Sequence, residues 1–471
     1  MKAHRSHFVL FILLSLSSSC IKYRARPIDA PRLEERYRTR SLTEPRLQEF
    51  VQSNTREKVP EWPPRALDLQ ALTLIALYFN PELDVARSQV AIAKAGVITA
   101  GARVNPSFDT ETGYNSSPES HLLLSFLPKF TIETAGKRGR RIFQAQSRLE
   151  AARLSLGEQA WRVYGGLRRA FYDHLFAARA RALVRLEEEA RAEIVDIFDK
   201  RLAVGEAARP EYDVFRVDLI NTRATLRKTE GEVARSFVAV ATAAGLPHAT
   251  IDGLAIETPK LELPPGEGAL PIRAVERAGL LHRIDVRRLL AEYAAAEAAV
   301  QLEVARQYPD IQLGPGYVFE EAFNRYVLPV SLSSVPIFQR NNGPIAETEA
   351  ERQRIATQFV ALQATAIGEF DQALAQYRAA LSELEHAASS LNVQRLQEDA
   401  ARRALEVGEG DRLAVATSRL QTITAQRARL DALVRARTAL GALEDAVQRP
   451  LEDGLLLPEP SERGPRNEND E

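Results

Sequence analysis

Side chains able to do covalent or metal chemistry are sparse in this chain and badly spaced for it. Seven histidines are scattered over 471 residues, with His4 and His7 near the start, and no His-x-x-x-His, Cys-x-x-Cys or nucleophile-elbow pattern occurs. Cys20 is the only cysteine and Met1 the only methionine, so neither an intrachain disulfide nor a relay of soft ligands can be built. No enzymatic activity, cofactor or resident metal is expected. Three features of another kind remain: the single thiol, a cation cluster at Lys137, Arg138, Arg140 and Arg141, and a Val-Gly-Glu triplet that occurs twice. The triplets are Val204, Gly205, Glu206 and Val407, Gly408, Glu409.

The thiol sits behind a leader. Residues 1–19 combine Lys2 and Arg5 with an apolar stretch from Phe8 to Leu16 and then three serines, the layout of a bacterial export signal, too short to span a bilayer. Cys20 stands directly after the small residues, which suits lipid attachment after cleavage. Ser17 occupies the place where a lipoprotein signal prefers leucine, with Leu16 one residue further back. Lipidation is nonetheless favoured over ordinary cleavage.

Composition narrows the class further. Lys and Arg number 62 against 63 Asp and Glu, so no global basic field exists for nucleic acid. Charged residues are 27% of the chain and aromatics 7%, and Ala, Leu, Arg and Glu dominate between turn signals, the makeup of long helices flanked by solvent.

The two triplets lie 203 residues apart. The same offset carries Ala95, Ala102, Arg103 and Pro106 onto Ala298, Ala305, Arg306 and Pro309, and Gly113-Tyr114 onto Gly316-Tyr317. Two copies of one unit are implied, each rigid enough to resist length change, because one residue added to a helix rotates everything beyond it by about 100°. Residues 21–64, rich in proline, read as an extended strap. Leu69, Leu72, Ala76 and Leu77 recur at helical spacing until Asn80-Pro81, and a second helix runs from about Glu82 to Val104.

Helical periodicity then gives way to alternation. Phe108, Thr110, Thr112 and Tyr114 face away from Ser107, Asp109, Glu111 and Gly113, and Leu122, Leu124, Phe126 and Phe130 share a face of the return strand. In the second copy Ile311, Leu313, Tyr317 and Phe319 face one way, and Tyr326, Leu328, Val330 and Leu332 lie together. Each strand is about ten residues, the length a tilted strand needs to cross a bilayer. Four strands cannot close a barrel, since the smallest single-chain outer-membrane barrels use eight, so several copies must share one. Alternation alone would equally suit a soluble β-sandwich insert.

The segment after each hairpin decides between these two readings. From about Arg140 to Val204 there is no proline, and Leu149, Leu156, Val163, Leu167, Phe171, Leu175, Leu183, Leu186, Ile194, Ile197 and Leu202 recur mostly three, four or seven apart. Such a helix has roughly 65 residues and is about 100 Å long, which no compact core needs. Gly205 stops it, and Arg209-Pro210-Glu211 opens a return helix to about Ala244. The second copy matches, with a helix from about Ile345 to Val407 and a return from Asp411 to about Val447.

This order resembles the TolC family of outer-membrane efflux channels. The marks are Leu69-x-x-Leu72 with Ala76-Leu77-x-x-Asn80-Pro81-Glu82-Leu83, the Ala-rich helix ending at Pro106, its partner ending at Pro309, and the paired Val-Gly-Glu turns. Arg283-Ile284-Asp285 departs from the family's usual Arg-Pro-Asp. Two segments, Ile132-Glu133-Thr134-Ala135-Gly136-Lys137-Arg138 with Arg141-Ile142, and Phe338-Gln339-Arg340-Asn341-Asn342-Gly343 with Ile345, are similar to the CzcC-like branch of heavy-metal resistance systems. Both sit where a strand hands over to a long helix. There Lys137, Arg138, Arg140 and Arg141 are expected to face lipid phosphates at the inner rim of the membrane, because cations at a helix N-terminus oppose its dipole and need another reason to be there.

The resemblance implies a fold that is mainly α with membrane β-strands: a two-repeat TolC-like chain whose homotrimer forms a 12-stranded β-barrel joined to a long periplasmic α-barrel. It implies passive conduction of substrate expelled by an inner-membrane pump of the resistance-nodulation-division (RND) type through a periplasmic adaptor, with heavy-metal cations as the cargo. The adaptor would meet the tips at Val204, Gly205, Glu206, Val407, Gly408 and Glu409, and Glu211, Tyr212, Asp213, Asp411 and Arg412 are candidates for the periplasmic gate. The alternatives are export of drugs or other organic compounds by the same fold, or a non-conducting periplasmic coiled-coil lipoprotein. The expected organisation is a signal at 1–19, an extended segment at 20–64, a first repeat at 65–250 with a β-hairpin at 107–131 and a tip near 205, a linker at 251–269, a second repeat at 270–449 with a β-hairpin at 310–335 and a tip near 408, and a disordered tail at 450–471.

Overall fold

The computed structural model describes residues 23–55, 62–114, 122–256, 264–270, 276–277, 279, 282–320, 323–333 and 335–451. The export signal, Cys20 and the tail beyond residue 451 lie outside them. The chain divides into two compact units, residues 1–41 and 42–471. The first holds α1 (Ala30–Arg38), capped by the Asp29 carboxylate, which accepts from the Arg32 amide at 3.1 Å. The second opens with α2 (Pro45–Asn54). The expectation of an extended strap here is therefore corrected. Pro31 and Pro45 sit in first helical turns, where a missing N–H removes no helical bond and a fixed φ favours starting a helix.

α3 (Leu69–Phe79) starts at an Asp68 cap and is buried along nearly its whole circumference. Asn80 ends it and caps α4 (Pro81–Gly101), its side chain accepting from the Glu82 amide at 3.0 Å. Next come β2 (Ser107–Tyr114), β3 (Leu122–Ile132), α5 (Lys137–Ala203) and α6 (Arg209–Ala243). Short β1 (Ala66–Leu67) pairs in parallel with β4 (Ala255–Ile256). The second half gives α7 (Ile284–Ala305), β5 (Asp310–Leu313), β6 (Gly316–Glu320), β7 (Phe323–Val327), β8 (Val330–Ser333), α8 (Asn342–Glu406) and α9 (Arg412–Val447).

The offset of 203 is kept at Pro106 and Pro309 and again at Gly205 and Gly408, yet between them it is not constant. The residues that cap the long helices, Gly136 and Asn341, stand 205 apart, and the helices have 67 and 65 residues. The second copy spends two more residues on its strands and joint and two fewer on its helix, so the paired tips return to register.

α5 is held by a narrow stripe: Leu156, Val163, Leu167, Phe171 and Leu175, and further on Val184, Ala190, Ile194 and Phe198, all buried. Spacings of mostly three, four and seven keep these on one side over the full length. The upper stripe packs with α3, α4, Val240 and Ala241 in the largest core. A second core joins Phe370, Leu374, Tyr377 and Leu384 of α8 to Leu433, Leu440 and Leu443 of α9, with Phe176 of α5.

Arg283-Ile284-Asp285 starts α7 without proline. The Ile284 N–H, which a proline would lack, donates to the Gln448 side chain at 2.7 Å, and Arg283 is buried between Asp285 (2.7 Å), Glu369 (2.9 Å) and the Ala446 carbonyl (2.8 Å). Burial pulls the Arg283 guanidinium down, and these two carboxylates more than offset it, so its pKa lies above the ordinary value.

Candidate functional site

The strands form one sheet in the order β7, β6, β3, β5, β8, with β2 on the other side of β3. β5 and β6 are one ribbon interrupted at Gly314-Pro315, and β8 and β7 are another interrupted at Leu328-Pro329; the Gly314 amide closes the paired break by donating to the Pro329 carbonyl at 2.9 Å. The sheet thus has four ribbons. Register assigns its two faces. Thr110 lies opposite Phe126, which lies opposite Tyr317, which lies opposite Tyr326; Phe130 lies opposite Leu313 and then Val330; Ile132 lies opposite Ile311 and then Leu332. Directly opposed residues share a face, so this face is apolar across all four ribbons.

Nothing among the described residues covers it. Tyr114 is 78% exposed, Phe126 51%, Tyr326 86% and Leu328 65%. The opposite face is mixed and far more polar: Leu123, Leu127, Val318, Phe323 and Val327 lie there among Ser107, Asp109, Glu111, Ser125, Lys129, Thr131, Gln312, Glu320, Arg325 and Ser331, with ion pairs from Lys129 to Asp109 and from Arg325 to Glu320. A soluble sandwich buries the apolar face of a sheet and wets the polar one, whereas a membrane barrel does the reverse with lipid outside and water within. Gly316 is required where β6 meets β3, because an added Cβ would lie 2.7 Å from the Phe126 carbonyl oxygen and collide with the Leu127 side chain. The outer edges of β2 and of the β8–β7 ribbon have no strand partner among the described residues, the situation that strand addition from another chain resolves. Among the described residues no helix is long and apolar enough to cross a membrane.

At the joints the cation cluster finds partners within the chain. Lys137 is buried, and its ammonium donates to the Tyr308 carbonyl and to Asp310, both at 2.6 Å. Arg138 donates to the Gly101 carbonyl (2.8 Å), Arg141 to the Ala100 (3.0 Å) and Ala102 (3.2 Å) carbonyls and to Glu133 (2.6 Å), and Arg140 to the Gln301 carbonyl (2.9 Å). These carbonyls end α4 and α7. The cations therefore cap the negative ends of two neighbouring helices, which answers why they gather at the start of α5. For Lys137 the lipid-phosphate expectation is corrected, since its charge is committed to Asp310 away from solvent. In the second copy Asn341 performs the equivalent task, donating to the Glu303 carbonyl at 2.8 Å and to its carboxylate at 2.9 Å.

The twin triplets form twin turns. Gly205 and Gly408 both have φ of 82°, a left-handed value that other residues adopt at a cost. Their amides donate to Leu202 and Leu405 at 3.1 Å in each, and Glu206 and Glu409 close a wider loop to Arg201 and Ala404 at 2.8 Å in each. Val204 and Val407 are left 71% and 70% exposed. Beside them, Ile194, Phe198 and Ala416 form a small core with partly buried Tyr212, and Phe198 stacks on Phe215 at 4.3 Å. Asp213 pairs with Arg209 at 3.5 Å, while Glu211 and Arg412 are exposed in first helical turns. Asp411 caps α9 through the Ala414 amide at 2.7 Å and pairs with Arg201 of α5 at 3.1 Å. The cap and then the Arg201 charge hold its carboxyl below the usual carboxylate range.

That last pair is the end of a ladder. Going up the α5–α9 seam, Arg419 faces Glu193 (3.9 Å), Arg427 pairs with Glu187 (2.6 Å), and Arg168 pairs with Glu444 (2.5 Å) and Asp445 (3.0 Å). Each ion pair joins the hairpin of one repeat to the hairpin of the other.

A model of the family described as outer membrane efflux protein matches residues 75–246. The cobalt-zinc-cadmium resistance protein CzcC of Cupriavidus metallidurans is 23% identical over 319 residues, 66% of this chain and 74% of that one. Over residues 75–246 the chain is similar to the outer membrane efflux protein family. Its fold is that of solved channels. The outer-membrane channel OprN superposes with a TM-score of 0.66 at 18% identity, covering 92% of this chain and 99% of the other, and the outer membrane protein VceC of Vibrio cholerae with a TM-score of 0.63 at 18% identity, covering 82% and 97%. Both of these are outer-membrane proteins, and the likeness to them shows the fold.

Some residues that organise these features escaped sequence reasoning. Arg168, Glu444, Arg201 and Asp310 act through partners 276, 276, 210 and 173 positions away. For Arg168, Arg201 and Glu444 the only local signal was a charge beside an apolar helical stripe, and Asp310 reads only as the polar start of a strand.

Proposed function

We propose that three copies of this chain close a twelve-stranded barrel through the outer membrane, continued by twelve helical rods into the periplasm. Through this conduit substrate delivered by an inner-membrane RND-type pump and a periplasmic adaptor passes passively. One observation carries the reading: a four-ribbon sheet with an uncovered apolar face and, among the described residues, two unpaired edges runs directly into helices of 67 and 65 residues. Edges left open on both sides call for identical neighbours, and a closed ring removes them. In this reading an adaptor docks on the tip turns, each with one exposed valine and one exposed glutamate, and Glu211, Tyr212, Asp213, Asp411 and Arg412 hold the entrance narrow, a role supported by the Asp411–Arg201 pair that ties the two hairpins together beside the tips. Heavy-metal cations are the proposed cargo on the strength of the likeness to CzcC.

The test has two parts. Native mass measurement of detergent-solubilised protein is expected to give three copies, and reconstitution in a planar bilayer is expected to give discrete conductance steps; a monomer, or a trimer without conductance under any applied voltage, would refute the channel. A deletion strain is expected to become sensitive to cobalt, zinc or cadmium. Unchanged metal tolerance combined with new sensitivity to organic toxicants would assign the cargo to the alternative class.

A further inference from the structure

The segment between β8 and α8, Val335-Pro336-Ile337-Phe338, is exposed in a way its surroundings do not explain. Phe338 is 98% exposed, Ile337 73% and Val335 54%. Looseness is not the cause, because the segment is pinned at both ends: Ser333 bonds to the Asp310 carbonyl on one side, and Asn341 bonds to Glu303 on the other. A tight turn around Pro336, in which the Ile337 amide donates to the Val335 carbonyl at 2.9 Å, turns the next two side chains outward. In the first copy, the residue three before the helix cap is Glu133, which is folded back onto Arg141. In the second copy that position is Phe338, and the residue corresponding to Arg141 is Ala346. No partner among the described residues replaces the lost ion pair.

We infer that Val335, Ile337 and Phe338 form a hook that inserts into the interfacial layer of the membrane's periplasmic leaflet. The inference rests on the barrel reading above. Lipid is the chosen occupant for two reasons. The patch continues the lipid-facing stripe of β8, where Val330 and Leu332 are 63% and 53% exposed. It is also followed at once by exposed Arg340, a cation placed to meet headgroup phosphates. Aromatic and aliphatic side chains beside a cation at the end of a barrel strand suit the boundary between acyl chains and headgroups. Each protomer supplies one hook from its second joint and none from its first.

The experiment places tryptophan at Phe338 and, separately, at Leu328 in the full-length protein reconstituted in vesicles, with the parent's emission subtracted. Phosphatidylcholine brominated near the headgroup or near the chain end serves as quencher. Phe338→Trp is expected to be quenched at least twofold more by shallow bromine than by deep bromine, and Leu328→Trp the reverse. Quenching of Leu328→Trp with none at Phe338→Trp overturns the hook, leaves the barrel standing and makes a second copy the occupant. Absence of quenching at both positions overturns the barrel reading and the hook with it. If Phe338→Trp does not assemble, Ile337→Trp carries the same expectations.

Discussion

The prediction that bears most directly on how the two repeats are joined concerns Arg168. Its guanidinium lies in the α5–α9 seam, donating to Glu444 at 2.5 Å, Asp445 at 3.0 Å and the Gly441 carbonyl at 2.9 Å, with the Tyr164 ring 5.3 Å away. Burial pulls its pKa down and the two carboxylates more than offset this, so the charge is firmly held. Arg168→Met keeps the stem but takes from Glu444, which is only 4% exposed, its charged partner. Removing one partner of a buried pair costs about 3–5 kcal/mol. Unfolding entropy of about 2.1 cal/mol/K per residue gives a chain of 471 residues about 1 kcal/mol/K, so melting as one unit should fall by about 3–5 °C. Thermal melts followed by circular dichroism in detergent at pH 8 measure the loss, and adding Glu444→Leu should restore most of it. A variant melting within about 1 °C of the parent would refute the reasoning.

Three further outcomes are expected. Gly316→Ala should lower the yield of heat-modifiable outer-membrane protein, because overpacking against the Phe126 carbonyl and Leu127 costs about 1–3 kcal/mol and loosens the seam where β6 joins the second hairpin to the first. Gly205→Ala and Gly408→Ala should each destabilise their tip by about 1 kcal/mol and by equal amounts, read as equal increases in amide exchange in the flanking turns, since both glycines adopt the same φ. Asp411 titrates below its ordinary value, so its contribution is present above the unfolded pKa and is lost as pH falls through the folded one. Amide protection at the start of α9 should accordingly hold from pH 8 to pH 5 and drop only in stronger acid, and Asp411→Asn should abolish that drop.

The sequence by itself determined the elements that depend on near neighbours. Helix length came from an apolar stripe recurring without proline, hairpin position from alternation, and tip geometry from glycine after valine, because each is set by backbone sterics or by side chains within a turn or two. The same locality misled where one residue has two uses: Pro31 and Pro45 read as breaks in a strap and proved to be helix starts. Only the tertiary structure decided where charges go. Lys137, Arg138, Arg140 and Arg141 form a run whose local composition fits a lipid-facing rim, yet their partners are carbonyls ending two helices that approach from elsewhere in the chain. The register that makes one sheet face apolar across four ribbons was likewise out of reach, because pairing β3 with β5 and β6 joins segments nearly two hundred residues apart. A long-range ion pair or strand pairing leaves no periodic trace in sequence, since it depends on where two separately folded elements meet.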